Sequence, residues 1–169
     1  MDVFDAARTM LAVREYEDRP VPDDVIRRVV EAGRLSASSM NGQPWHFVVV
    51  TDREMLARIG REIKTGRYVA QAAFAIAVAA EAGSQFALSD ASRANQSMML
   101  TAWDAGVGSN WVGFGGMDRV RAILGIPDRY DVVAVLPFGY PAQVRTAGVK
   151  RRKPLSEVAS RERFGQPFE

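Results

Sequence analysis

Between residues 25 and 50 the spacing of apolar residues changes from helical to strand-like, and the change happens across a polar run of ten residues. Val25, Ile26, Val29, Val30 and Ala32 recur at helical intervals, whereas Val48, Val49 and Val50 form a β-branched run that reads as a buried strand. The join, residues 36–45, is Ser-Ala-Ser-Ser-Met-Asn-Gly-Gln-Pro-Trp. Its hydroxyl and amide side chains bond to nearby backbone and its Gly and Pro set turns, so the chain must fold around a helix-to-strand connection. Such a loop can be purely structural; its amides and hydroxyls also suit the polar edge of a planar ligand.

Either side of this join, helices and strands alternate. Asp2 is a good N-cap for a first helix with Val3, Ala6, Ala7, Met10 and Leu11 on one face. Pro22, Asp23 and Asp24 open the helix that leads into the loop. The spacing of Thr51-Asp52-Arg53-Glu54 predicts a capping box starting a third helix through Met55, Leu56 and Ile59. A helical turn at 68–71 precedes a strand at 74–78. The longest helix is expected at 89–105, closed by Gly106, and carries a small-residue stripe of Ala91, Ala94, Met98, Ala102 and Ala105. Strands at 108–113 and 132–137, with a short helix at 120–124 between them, complete the pattern, and a last helical turn follows Pro154. The expectation is one domain over residues 1–169, of α+β class, with a small mixed central sheet flanked by helices.

Composition narrows the chemistry. The 169 residues include no Cys and a single His, His46, which excludes disulfides, thiolate metal sites, a cysteine nucleophile and a serine triad. No metal site is expected. A net charge of +2 gives no dense basic field, so nucleic acid is not an expected partner, and Lys150-Arg151-Arg152-Lys153 reads as a solvated tail. No apolar run reaches membrane-spanning length and no leader precedes the first helix, so the expected location is cytoplasmic. Gly113-Phe114-Gly115-Gly116 offers either a phosphate cradle or a turn. A chain without an evident acid, base or metal often borrows a cofactor.

The run Ser38-Ser39-Met40-Asn41-Gly42-Gln43-Pro44-Trp45-His46-Phe47 resembles the signature loop of the nitroreductase family of flavoenzymes. Val13-Arg14-Glu15-Tyr16 resembles the family's first motif, Gly106-Val107-Gly108 through Gly113 its central flavin-contacting strand, and Phe138-Gly139-Tyr140-Pro141 with residues 150–155 its closing motif. Four matches in order make the resemblance specific.

It implies a nitroreductase-like α+β fold, a homodimer with interlocked C-terminal segments, and one FMN in each of two pockets at the subunit interface. The implied chemistry passes hydride from NADH or NADPH through flavin N5 to an electron-poor small-molecule acceptor such as a nitroaromatic or quinone. No side chain is implied as a catalytic acid or base. A dehydrogenase or dehalogenase of a specialised metabolite, or a non-catalytic flavin-binding or interaction protein, stays open beside that reading.

Carried over by residue, the resemblance assigns Arg14 to the flavin's pyrimidine edge, and Lys150 and Arg152 to the phosphate. It assigns Ala37, Ser38, Ser39, Asn41 and Gln43 to the loop reaching from the partner. Gln96 is implied to face the flavin, and Val112, Gly113 and Phe114 to approach it near N5. Lys64 and Arg67 align only loosely. Leu11 and Ala12 occupy cofactor-binding positions but depart from the family's chemistry: Met10-Leu11-Ala12 stands where many members carry Arg-Arg-Ser or Arg-His-Ser. A lost charge-assisted hydrogen bond costs about 1.5–3 kcal/mol, or about ten- to a hundredfold in affinity.

Overall fold

In the computed structural model, residues 1–143 and 150–168 are described. Residues 144–149 therefore lie outside the described residues, whereas the basic run Lys150-Arg151-Arg152-Lys153 is among them. The organising strand is β2 (Phe74–Glu81), whose side chains are buried on both faces until Glu81. Phe74, Ile76, Val78 and Ala80 enter one core; Ala75, Ala77 and Ala79 enter the other. Larger side chains on one face and alanines on the other follow directly from the period of two.

β2 is flanked by β1 (Trp45–Val50) and the long β4 (Tyr130–Gly139), and the two-residue β3 (Gly108–Ser109) pairs with the far edge of β4, giving the order β1-β2-β4-β3. Every pairing among these strands is antiparallel. The sheet is therefore not mixed as expected; the parallel element is confined to an isolated bridge between Ala12 and Ser109. Likewise the third strand does not run through 108–113, because the chain leaves the edge at Asn110 and returns only at a bridge between Val112 and Val135.

The first face is covered by α2 (Asp23–Arg34) and α4 (Ala87–Asp104), and the second by α3 (Arg53–Glu62) and α5 (Met117–Ile123). α2 and α4 approach closely at Gly33, where a Cβ would lie 2.9 Å from the Met98 side chain. α4 begins at Ala87, two residues before its expected start, and Gly106 (φ +75°) ends it in the left-handed region as expected. α3 is capped by Asp52, which accepts the Met55 N–H at 2.8 Å. The N-cap is thus Asp52 and not Thr51, and the expected capping box does not form, because Met55 then stands at the third helical position.

The first helix, α1 (Val3–Thr9), is shorter than its pattern implied and buries only Ala6; Val3 and Phe4 are exposed. Met10 turns the backbone to ψ 126°, so Met10 and Leu11 leave the helix. The reason is the bridge that follows, since Ala12 must be extended to lie beside Ser109. Gly115 and Gly116, with φ of +70° and +94°, form a turn into α5; a Cβ on Gly116 would stand 2.2 Å from the Glu62 carbonyl oxygen. Among the described residues no helix is long and apolar enough to cross a membrane.

Candidate active site

The first and last motifs are separated by more than a hundred residues in sequence and meet at the β3 edge. The Val13 N–H donates to the Ser109 carbonyl at 2.9 Å, Glu17 N–H to Tyr140 at 2.8 Å, and Ala142 N–H to Glu15 at 3.0 Å. Tyr16 locks this join. Its hydroxyl donates to the Val13 carbonyl at 2.8 Å and lies 3.3 Å from the Pro137 carbonyl. Its ring lies over Gly139, where a Cβ would come within 2.8 Å of Cδ1. Burial, with a smaller contribution from Tyr68, pushes the phenol far above its usual range against the opposing charge of Arg14.

Leu11, Ala12 and Arg14 line a cavity of about 510 Å³ walled by Trp103 and Pro141. The ammonium of Lys150 donates to the Ala7 carbonyl in the last turn of α1, so the basic segment crosses beside the start of the first motif. Partial burial, and then the neighbouring Arg152, lower the Lys150 pKa. Among the described residues Arg14, Lys150 and Arg152 have no carboxylate partner. The Ser109 hydroxyl is buried without a hydrogen-bond partner there, and Ser109 is the bridge neighbour of Ala12. Arg14 in the cavity wall and Lys150 beside α1, neither with a carboxylate partner among the described residues, are cations suited to an anionic ligand.

The loop between α2 and β1 has a different geometry. Met40, Asn41 and Gln43 all have positive φ, at 50°, 55° and 49°. Asn tolerates this region, but for Met and Gln it is a strained backbone of order 1–3 kcal/mol each, held only where the surroundings over-determine it. The Ser38 hydroxyl accepts the Gln43 N–H at 2.9 Å, and the Asp90 carboxylate on α4 accepts the Ser39 N–H at 3.0 Å. Met40 is 92% exposed at the tip. The loop thus combines a strained backbone, bracing from α4 and an exposed apolar tip.

The predicted site residues thus fall into separate groups. Ala37, Ser38, Ser39, Asn41 and Gln43 belong to the braced loop and do not line the cavity with Leu11, Ala12 and Arg14. Gln96 is exposed on α4, while its neighbour Asn95 is fully buried with both amide atoms unpaired. Val112 is buried by its bridge to Val135, and Gly113 and Phe114 follow it at the surface. The loosely aligned segment around Lys64 and Arg67 adjoins them. A Cβ on Gly66 would lie 2.9 Å from Val112, and one on Gly115 3.3 Å from Lys64. Lys150 lies against α1 and Arg152 is exposed.

Three polar features escaped the sequence reading. Asp90 is 1% exposed, yet Ala87, Asp90, Ala91 and Ala94 lie on one helical stripe, so a carboxylate amid buried alanines was a legible signal. Asn110 donates to the Tyr68 hydroxyl at 2.6 Å; nothing in the spacing of these residues points to that contact. Ser109 becomes notable only once Ala12 is beside it. Among the described residues no cluster of His, Asp or Glu could hold a metal.

Over residues 8–66 and 64–140 the sequence matches the model of the Nitroreductase family. The chain belongs to the nitroreductase family of oxidoreductases. A protein of Methanothermobacter thermautotrophicus, provisionally named an NADH dehydrogenase/NAD(P)H nitroreductase, is 36% identical over 151 residues, covering 85% of this chain and 79% of that protein. A Thermus thermophilus protein named NADH dehydrogenase is 28% identical over 183 residues, covering 85% of this chain and 88% of its own. A crystal structure from Bacteroides thetaiotaomicron, with the same provisional name as the first, superposes with a TM-score of 0.88 at 28% identity and covers 95% of this chain and 97% of that one. The expected nitroreductase-like α+β fold is borne out.

Proposed function

We propose that this chain is an FMN-dependent oxidoreductase that accepts reducing equivalents from NADH or NADPH and delivers them to an electron-poor small molecule such as a nitroaromatic or quinone. The observation that carries this reading is the meeting of the first and last motifs, with Arg14 in the cavity and Lys150 against the carbonyl of Ala7. The family generally uses a flavin, and relatives carry NADH or NAD(P)H in their names. When bound, FMN would supply the hydride-accepting and hydride-donating centre.

The chain's own residues bind, orient and polarise. Lys150 and Arg152 would hold the phosphate by charge-assisted hydrogen bonds, and Arg14 would stabilise negative charge on the pyrimidine edge. Val112, Gly113 and Phe114 would lie toward the reactive face, Leu11 and Ala12 toward the phosphate, and Gln96 would face the flavin from the long helix. Ala37, Ser38, Ser39, Asn41 and Gln43 act on the cofactor of a second copy, which makes the working unit a homodimer. Support for that assembly comes from a C-terminal segment whose Leu155, Val158 and Phe164 are exposed, Phe164 completely so. Residues 1–169 are read as one domain, cytoplasmic, with neither nucleic acid nor membrane as partner.

A second reading, a flavin-binding protein without turnover, is favoured by one observation: the apolar Met10-Leu11-Ala12 run at the phosphate end. The two separate in a visible absorption spectrum taken after the purified protein is mixed with excess FMN and desalted, then exposed to NADH or NADPH. A retained flavin spectrum that bleaches supports the enzyme. A retained spectrum that does not bleach supports the second reading, and loss of all flavin removes both.

A further inference from the structure

Among the described residues, the inner part of the connection, residues 38–43, is hydrogen-bonded to the rest of the chain at one place. Asp90 lies in the first turn of α4, 1% exposed, with one carboxylate oxygen 3.0 Å from the Ser39 N–H and the other 2.9 Å from Nη1 of Arg93. A buried carboxylate is costly unless its charge is met, and here it is met three ways: by Arg93, by the Ser39 amide, and by the positive end of α4. An apolar residue or serine would pack at this position with less desolvation. What a carboxylate adds is a charge-assisted hydrogen bond, roughly twice as strong as a neutral one.

That bond lands at the start of the strained segment. Immediately after Ser39 the backbone enters the left-handed region at Met40 and Asn41, and it does so again at Gln43. Within the loop, Asn41 N–H reaches the Ser38 carbonyl at 3.1 Å, Gly42 N–H the Ser39 carbonyl at 2.9 Å, and Gln43 N–H the Ser38 hydroxyl at 2.9 Å. All of these close the loop on itself. Only the Asp90 bond ties its polar backbone to a rigid element, among the hydrogen bonds of the described residues in 38–43.

We propose that Asp90 is the positioning residue of the cofactor loop, holding residues 38–43 in their strained form, with Arg93 balancing its charge. This rests on the proposed contact between that loop and the cofactor of a second copy. The consequence is that Asp90, which touches no ligand, controls cofactor affinity through the shape of the loop. Asparagine keeps an acceptor oxygen but only a neutral, weaker bond, while alanine keeps none.

The test compares Asp90→Ala and Asp90→Asn with the unaltered protein, using hydrogen exchange at the amides of residues 39–43 and FMN titration, at a temperature where circular dichroism reports all three as folded. Asp90→Ala should speed loop exchange by about tenfold or more and raise the FMN Kd by about tenfold or more. Asp90→Asn, with a neutral bond in place of the charge-assisted one, should fall between the unaltered protein and Asp90→Ala in both, whatever its effect on the urea midpoint. Unchanged loop exchange in Asp90→Ala overturns the proposal, as does equal loosening in Asp90→Asn. A loosened loop with unchanged FMN affinity overturns the link between loop and cofactor. If the unaltered protein binds no FMN, the proposed function fails, and the exchange comparison, which needs no cofactor, still decides the role of Asp90.

Discussion

Gly108 and Val13 are in such close register that a methyl group added to Gly108 would lie 2.5 Å from Cγ2 of Val13. This approach lets the first motif run beside β3, with the Val13 amide bonded to Ser109. Gly108→Ala should therefore destabilise the fold by about 1–3 kcal/mol, through overpacking against a β-branched side chain that cannot swing away. Urea unfolding measures it. The double variant Gly108→Ala, Val13→Ala should recover part of the loss, whereas strictly additive losses would mean that the two side chains do not compete for the same space.

Tyr16 predicts a dependence on alkaline pH. Its folded-state pKa is raised above the ordinary phenol value near 10. The stability it contributes is fully present below the unfolded-state pKa and is lost as pH rises from about 10 toward the folded value, because only the unfolded chain then releases the proton. Urea midpoints at pH 8 and above pH 10 should fall more steeply for the unaltered protein than for Tyr16→Phe. The variant should start about 0.5–1.5 kcal/mol lower, having lost the hydrogen bond to Val13. Parallel pH profiles would contradict the assignment.

The basic segment should serve the cofactor. Replacing Lys150 and Arg152 by alanine should raise the FMN Kd by about tenfold or more. Binding to random duplex DNA at physiological salt should stay negligible with or without the change. Unchanged FMN affinity would show that these two cations lie away from the phosphate.

Leu11 marks the departure from the family pattern, and it lines the same cavity as Arg14. Leu11→Arg should tighten FMN binding by about ten- to a hundredfold, matching one charge-assisted hydrogen bond of about 1.5–3 kcal/mol. Added FMN should also raise the thermal midpoint of the variant more than that of the unaltered protein. Fluorescence quenching titrations measure the first effect. Equal affinities would mean that Leu11 does not approach the phosphate.

Much of the fold was legible because apolar spacing reports directly on burial. β2 reads as a continuous apolar run since both its faces are covered, and α2 and α3 show one-sided patterns since only one face is. The pattern misled at α1, where Val3, Ala7, Met10 and Leu11 have helical spacing although the helix ends at Thr9 and Val3 is exposed. It also missed the irregular edge. The Ala12–Ser109 and Val112–Val135 bridges are set by long-range pairing that no local period encodes. For the site, motifs named the residues but not their distances. That the 37–43 loop lies apart from the Arg14 cavity follows from the topology of the edge; the burial of Asp90 was legible from its alanine stripe, but its role was not, because that role is a contact 51 residues away in sequence.

If the 37–43 loop, which lies apart from the Arg14 cavity, acts on the cofactor of a second copy as proposed, the protein is a dimer. Light scattering at micromolar concentration should give about twice the 18.6 kDa chain mass. A monomer that still binds FMN tightly would show that one chain completes the site alone.

On the proposed function, this chain holds FMN and passes hydride equivalents through it. The most direct measurement is anaerobic addition of NADH or NADPH to the desalted, FMN-loaded protein, followed by a quinone or nitroaromatic, while the flavin's visible absorption is recorded. The account predicts bleaching by at least one of the two donors and recovery of the absorption when the acceptor is added. Flavin that stays bound and oxidised in the presence of both donors would contradict it.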